Sequence, residues 1–572
     1  MQEAKTNTLQ DTTREDHYNN WPNVRGFDAN YEQKAPVELT VKGQIPAYAA
    51  GILYRTGPGR YKVDAENGET LSLTHWFDGF SETHRFQLVA PDENETHPHA
   101  SMRVFYNSRF STDDMIENAR QTGKVKGTGF GQKRDPCQTV YHKVQTDFEP
   151  VAPPTPSSVN VGVTLSINMP GLATDRPNCI SRSRWDTSAG IKTLTAKTDH
   201  NVYKHLDPET LEPISLSRQQ DLHPGLTGTM TASHARSDPN TGDVFNYNLT
   251  VGSSTSTYRV FRVSASTGAT SILASFPGTP AYLHSLFLTG DFVVLCVWNA
   301  HVAHRDYLAT TSLLDSIQPF DASKPATWYI VDRKSDRGLI ATYESPAFFS
   351  FHAINAWQET TADGKTDIVA DLIMFDSLDF IHSLYYNTLL SDSPAAKAVR
   401  TGRTDSTRST IARFRLPAVP TTSTPTPTST SEPLTATLES SLCKSLSPEL
   451  PTLNPKYVTR KHRYVYTVSD RGESTFFDGI MKFDTETQEA LLWAHHAQSP
   501  GEPIFVADPD ATSEDDGVLL SVVLDGLTGK SYLLCLYARN LVELGRASVD
   551  GPVAFGFHGQ HVPVRGTPTG DY

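Results

Sequence analysis

Four histidines stand out by the company they keep: His234 in TMTASHARSDP, His284 in AYLHSLFLTGD, His352 in FFSFHAINAWQE and His558 in AFGFHGQHVP. Three of them follow an apolar or aromatic stretch and precede a small or polar residue. A histidine at the end of a buried strand can point into a central cavity. Four such strands around one axis could hold a metal by imidazole alone. With no carboxylate or thiolate ligand, the ion keeps its full positive charge and open coordination positions, which suits oxygen chemistry. A structural zinc instead wants four closed tetrahedral ligands, often at close local spacing. Two histidine pairs have shorter spacing, His301 with His304 and His495 with His496. Neither sits in a clear strand-end context, and both rank below the four.

A metal-bound imidazole usually donates its other N–H to a carboxylate, which fixes the tautomer and aims the ring. Acids in candidate strand-end positions are Asp199 in LTAKTDHN, Glu449 in SPELPTLN and Glu502 in GEPIFVAD. Glu502 precedes a proline and then an apolar strand, an odd place for a purely solvated glutamate. Glu514, in SEDDG, reads instead as part of an exposed turn.

The elements that must position these residues are strands. GILYRT, SMRVFYNS, STYRVFRV, DFVVLCVW, TWYIVDR, RYVYTVS, GVLLSVVLD and SYLLCLYA are rich in Val, Ile, Tyr and Phe and bounded by turn residues. Hairpin punctuation follows at Asp207-Pro-Glu-Thr, Asp238-Pro-Asn-Thr-Gly, Thr289-Gly-Asp and Asp525-Gly. The best helix candidate is STDDMIENARQTGK, around residues 111–124. Many short strands and few helices point to an all-β propeller, and the step from His234 to His284 is about one blade of the usual ~40–50-residue period.

Residues 416–434, LPAVPTTSTPTPTSTSEPL, are low-complexity and read as a surface-loop insertion. Residues 1–30 read as a flexible N-terminal segment and 31–572 as one propeller domain. The chain has 572 residues, 38% hydrophobic and 20% charged, enough for a substantial core. A formal net charge of −14 argues against a nucleic-acid partner. Of five cysteines, Cys296 and Cys535 lie in apolar runs and read as buried small hydrophobes. That pattern and the polar N-terminus, which lacks a signal-peptide core, predict a cytoplasmic, non-secreted protein. No apolar run reaches the ~18 residues of a membrane span, and no obligate protein partner is evident.

The chain resembles the carotenoid cleavage oxygenases. The resemblance rests on GILYRTGPGRY, HWFDGF, KTDHNVYKHLDPETLEP, SHARSDPNTGDVFNY, YLHSLFLTGDFVV, FHAINAW, RKHRYVY, EPIFVADPDATSEDDGVLLSVVLD and GFHGQHVP, in the family's order along nearly the whole length. It implies a seven-bladed β-propeller with a helical and loop cap over an axial iron(II). By resemblance His234, His284, His352 and His558 are the ligands, and Glu449, Glu502 and Asp199 the carboxylates behind them. Asp199 departs from the family's glutamate by one methylene. Phe80 in HWFDGF departs from HWFDGDG, which bears on the local turn. The implied reaction is cleavage of an alkene by O2 into two carbonyl products, with no catalytic side chain beyond the metal site.

LYRTGPGRY, GFGQKRDPC, VNVGVTLSINMPG and the segment PGLATDRPNCISRSRWDTSAG resemble the fungal torulene-cleaving branch. A polyene substrate implies an apolar tunnel and a mouth in peripheral contact with a membrane, with residues 112–130 as a candidate part of that mouth. The alternative is a stilbene-cleaving enzyme, or apocarotenoid cleavage at another bond. In the stilbene-cleaving relatives a lysine precedes the first of the three acids. Here that residue is Thr198, and Lys197 faces the other way in an alternating strand.

Overall fold

The computed structural model describes residues 17–91, 102–125, 129–133, 153–172, 190–304, 312–402, 405–420, 433–442 and 444–564. Antiparallel meanders dominate it. Five four- or five-stranded sheets follow one another along the chain. The first runs from Thr164–Ile167 to Pro213–Arg218 and the second from Arg236–Ser237 to Thr270–Gly278. The third spans Phe287–Leu288 to Leu339–Ser345, and the fourth Ala353–Thr360 to Thr437–Ser441. The fifth spans Pro448–Thr452 to Ala490–Trp493. The remaining long strands join into one ten-stranded sheet.

The all-β propeller architecture is therefore present, but seven separate blades are not. Five blades are discrete sheets. The strand Val37–Gly43 pairs through Val37–Leu39 with Arg103–Phe110 and through Thr40–Gly43 with Glu543–Ser548, which links the first and last parts of the chain into the ten-stranded sheet. That sheet closes the ring: the C-terminal strand His558–Pro563 pairs with Gly51–Arg60.

The sequence folds this way because the middle strands are apolar on both faces. Every residue of Phe292–Val297 is buried, and only Asp525 of Gly517–Asp525 is not. Such strands fit only between neighbouring sheets. Cys296 and Cys535 are fully buried there as free thiols. The hairpins are set by aspartates whose carboxylates accept backbone N–H bonds two and three residues on. Asp207 bonds Glu209 and Thr210, and Asp238 bonds Asn240 and Thr241. Gly242 then turns back at φ +74°.

Six of the site residues lie at or beside the start of a strand, while Asp199 follows the strand Leu194–Lys197. His234 precedes Arg236–Ser237, His284 precedes Phe287–Leu288, His352 precedes Ala353–Thr360 and Glu449 lies in Pro448–Thr452. Glu502 precedes Ile504–Ala507, and His558 opens His558–Pro563. The helix expected near 111–124 runs over Asp113–Thr122. Phe80 is fully buried and opens the strand Phe80–Val89.

The N-terminal expectation needs correction. Residues 17–30 are not a flexible segment. Trp21, Asn23 and Phe27 are buried, and Trp21 Nε1 donates to Ser499 Oγ at 2.9 Å. Phe27 packs edge-on against Trp76, Tyr386, Phe476 and Phe555. Apolar residues near a terminus are enough to anchor it when a partner surface exists, and polar composition around them hid this. Residues 1–16 and residues 421–432 of the low-complexity insertion lie outside the described residues. Phe27→Ala is expected to lower stability by ~3–5 kcal/mol, read as a lower denaturation midpoint, whereas an unchanged midpoint would mean the segment is merely laid on the surface.

Candidate metal centre

The four histidines converge. Their inward-facing ring nitrogens all lie within 4.8 Å of one another. His558 Nε2 is 3.0 Å from His234 Nε2 and 3.3 Å from His352 Nε2. Behind three of the rings stands a buried carboxylate. His284 Nδ1 donates to Asp199 Oδ2 at 2.8 Å, His352 Nδ1 to Glu449 Oε2 at 2.6 Å, and His558 Nδ1 to Glu502 Oε1 at 2.9 Å. Asp199 thus reaches its histidine directly, despite the missing methylene. Among the described residues no carboxylate bonds the His234 ring.

Backbone geometry fixes the spacing of three of the histidine segments. The His234 N–H donates to the His284 carbonyl at 3.2 Å. Ser285 Oγ donates to the Phe351 carbonyl and accepts from the Ala353 N–H, both at 2.8 Å. The buried Arg236 guanidinium donates to the Leu286 carbonyl at 2.9 Å and the Ala353 carbonyl at 2.5 Å. One arginine and one serine therefore tie the segments around His234, His284 and His352 into a collar.

The three acids are held differently. Asp199 accepts from the Ser233 N–H at 2.9 Å, Ser233 Oγ at 2.5 Å and Tyr282 Oη at 2.8 Å, besides His284. Burial disfavours its charge, but His284 and these bonds together hold its carboxyl below the usual range. Glu502 pairs with buried Arg55 at 2.9 Å and accepts from the Gly559 N–H at 2.7 Å. Burial nevertheless pushes its carboxyl up to about 7. Glu449 accepts from the Leu450 N–H at 2.8 Å, while its Oε1 is buried without a hydrogen-bond partner.

This arrangement fits a cation. A carboxylate facing Nδ1 requires the proton there, so the Nε2 lone pairs of His284, His352 and His558 point inward. Two such acceptors only 3.3 Å apart, in His352 and His558, repel unless a positive charge lies between them. Burial and then the neighbouring rings hold His234 and His558 well below the ordinary imidazole range. The four nitrogens could hold a metal.

Three of the four histidines, His284, His352 and His558, line a cavity of about 390 Å³. Its walls are mainly apolar and aromatic, including Phe77, Phe130, Phe351, Phe380, Phe477 and Phe557. Thr198 lines it. Lys197 is buried in the strand Leu194–Lys197 and is not among the lining residues. Short cap elements contribute Met115, Leu313 and Phe380.

The family model described as retinal pigment epithelial membrane protein matches residues 26–563. The chain belongs to this family, the carotenoid oxygenases. A carotenoid dioxygenase of Neurospora crassa is 41% identical, with 96% of this chain and 93% of that protein covered. A torulene dioxygenase of Gibberella fujikuroi is 39% identical, with 96% and 94% covered. Solved structures of the Synechocystis apocarotenoid oxygenase, one a mutant and one cobalt-substituted, give TM-scores of 0.68 and 0.67 at 22% identity. They cover 94% of this chain and 98% of that one, which shows the shared fold.

Within this family member, sequence reasoning missed Arg55, Ser233, Arg236, Tyr282 and Ser285. Four of them lie inside quoted motifs and are one or two residues from a site residue, which was the available signal. Arg55 lay in GILYRTGPGRY with nothing local to mark it. Glu514 also needs correction: it is not a free exposed acid. Its carboxylate accepts the N–H groups of Arg463 and Tyr464 at 2.8–2.9 Å, and it is only half-exposed. His495 and His496 are exposed on the surface.

Glu449→Gln and Glu502→Gln are each expected to weaken metal affinity ~10–100-fold, measured by titrating metal into chelator-stripped protein. Asp550→Asn, whose side chain is 96% exposed, should leave affinity unchanged. Equal losses in all three would argue that the carboxylates act only through general charge.

Proposed function

We propose that His234, His284, His352 and His558 hold iron(II), and that the chain is a dioxygenase cleaving one carbon–carbon double bond of a long polyene such as torulene. The alkene and O2 become two carbonyl products, with one oxygen atom in each and no outside reductant. The observation that carries this reading is the convergence of four imidazoles, three of them on one wall of an aromatic cavity. When bound, iron(II) would supply an open coordination position for O2.

The protein's own contribution is placement. Asp199, Glu449 and Glu502 keep the protons of three rings on Nδ1 and their lone pairs inward. The collar of Arg236 and Ser285 sets ligand spacing before any metal arrives, so little reorganisation accompanies binding. Phe77, Phe351 and Phe557 offer flat apolar surface to a conjugated chain and exclude water. A phenol in such a pocket needs a hydrogen-bonding partner, and leaving one unpaired costs ~1–3 kcal/mol. Thr198 occupies the position where the stilbene-cleaving relatives carry a lysine, which favours a hydrocarbon substrate.

We read residues 31–572, together with the packed segment 17–30, as one catalytic domain, because the cavity and its histidines draw on strands from the whole chain. No helix among the described residues is long and apolar enough to cross a membrane. A carotenoid partitions into lipid, so this reading includes peripheral membrane contact at a mouth near Met115.

The test is iron content together with product mass. His352→Ala should lose iron and turnover, and the parent protein should split a carotenoid into two carbonyl fragments, each with one atom of labelled oxygen. Faster turnover of resveratrol than of any carotenoid would overturn the substrate assignment. Full iron and turnover in His352→Ala would overturn the ligand set.

A further inference from the structure

The motif GFG at Gly129–Phe130–Gly131 has no part in holding the histidines, yet it is built into the cavity roof. Asp78, on the short 3-10 turn Trp76–Asp78, is buried, and its carboxylate accepts two consecutive backbone bonds. Phe130 N–H donates to Oδ1 at 2.5 Å and Gly131 N–H to Oδ2 at 2.8 Å. On the other side, the Gly129 and Phe130 carbonyls accept from Leu313 and Leu314 at 3.1 and 2.8 Å.

The two glycines permit this approach. A Cβ on Gly129 would lie 2.7 Å from Asp78 Oδ1, and one on Gly131 would lie 2.7 Å from the His75 ring. With small residues on both sides, Phe130 is the only side chain the motif presents. Its ring lines the cavity and packs on Phe77 at 4.7 Å, His75 at 5.1 Å and Tyr282 at 5.4 Å. Tyr282 is the residue that bonds Asp199. Phe130 is therefore one contact removed from the acid behind His284, but it faces the substrate space.

Asp78 is itself anchored. Asn160, another lining residue, donates to the carbonyls of Asp78 and Gly79 at 3.2 and 2.8 Å. The backbone that carries the Phe130 ring is thus fixed by the Asp78 carboxylate on one side and by Leu313 and Leu314 on the other.

We propose that Phe130 is a specificity-determining wall that sets how far a polyene slides past the metal centre, and that Asp78 is the residue positioning it. A conjugated chain offers many similar double bonds and no polar handle. Only a steric stop can select one bond for cleavage, and an aromatic ring locked by two backbone bonds is such a stop. This inference rests on the polyene-cleaving reading above.

The experiment uses the full-length, iron-loaded protein and a purified C40 carotenoid, with products identified by mass. The parent should give one pair of carbonyl fragments. Phe130→Ala should give additional pairs from neighbouring bonds and a KM raised about tenfold, with iron content unchanged. Asp78→Asn keeps the size but turns an amide NH2 toward a backbone N–H, so it should scatter the products in the same direction. In the Phe130→Ala background, Asp78→Asn should add little, because the ring it positions is gone. A parent that cleaves the carotenoid with both variants giving the same single pair would overturn this inference alone. So would an Asp78→Asn effect equally large with and without Phe130. A parent that cleaves no carotenoid would overturn the proposed function and this inference together.

Discussion

The hydrogen bond from imidazole Nδ1 to a buried carboxylate is the interaction on which the site depends. It is made three times, at His284, His352 and His558. Each bond settles a tautomer and so turns a lone pair toward the axis. Without them, inward N–H groups and inward lone pairs would pair with each other, and the histidines would form a closed polar cluster with no affinity for an ion. With them, the cluster is frustrated in a useful way. The lone pairs of His352 and His558 face one another across 3.3 Å, and three carboxylates lie in a poorly solvated interior. Both features are unfavourable alone, and one divalent cation relieves both.

The propeller suits this demand because each blade contributes one short inner strand to a common axis. Distances along the sequence between the ligands are then set by the loops and outer strands, while distances in space are set by the ring. Arg236 and Ser285 show how tightly that spacing is held. They bond carbonyl and N–H groups of neighbouring blades. Closure of the ring by pairing of the C-terminal strand with Gly51–Arg60 brings His558 and Arg55 together. Glu502 therefore receives its histidine and its arginine from the two ends of the chain.

Much of the site was legible in the sequence because its chemistry demands particular residue types in particular contexts. The histidines follow apolar runs that form inner strands, and Glu502 sits ahead of a buried strand. What stayed hidden was non-local. Arg55 is 447 positions from Glu502, and no spacing rule connects them. Glu514 looked solvated because its neighbours are acidic, but backbone N–H groups of a distant segment claim its carboxylate. Counting seven blades failed for a related reason: the two halves of Val37–Gly43 pair with different strands, so hydrogen bonding merges what a repeat length would separate. Phe27 and Trp21 were obscured by a polar surrounding that says nothing about the surface they meet.

The three carboxylates are not equivalent, and this has a consequence for the metal centre. Asp199 is buried, but His284, Ser233 and Tyr282 together hold its carboxyl below the usual range. Glu502 shares its charge with Arg55, and burial still pushes its carboxyl upward. Glu449 keeps one buried oxygen without a hydrogen-bond partner. His234 has no carboxylate behind it among the described residues. Four identical side chains thus have four different sets of outer partners. The shorter side chain of Asp199 belongs to the same logic. It reaches His284 because Tyr282 and Ser233 pin it from two sides, and Tyr282 in turn packs on Phe130. The geometry that orients a ligand and the geometry that shapes the substrate cavity meet in that tyrosine.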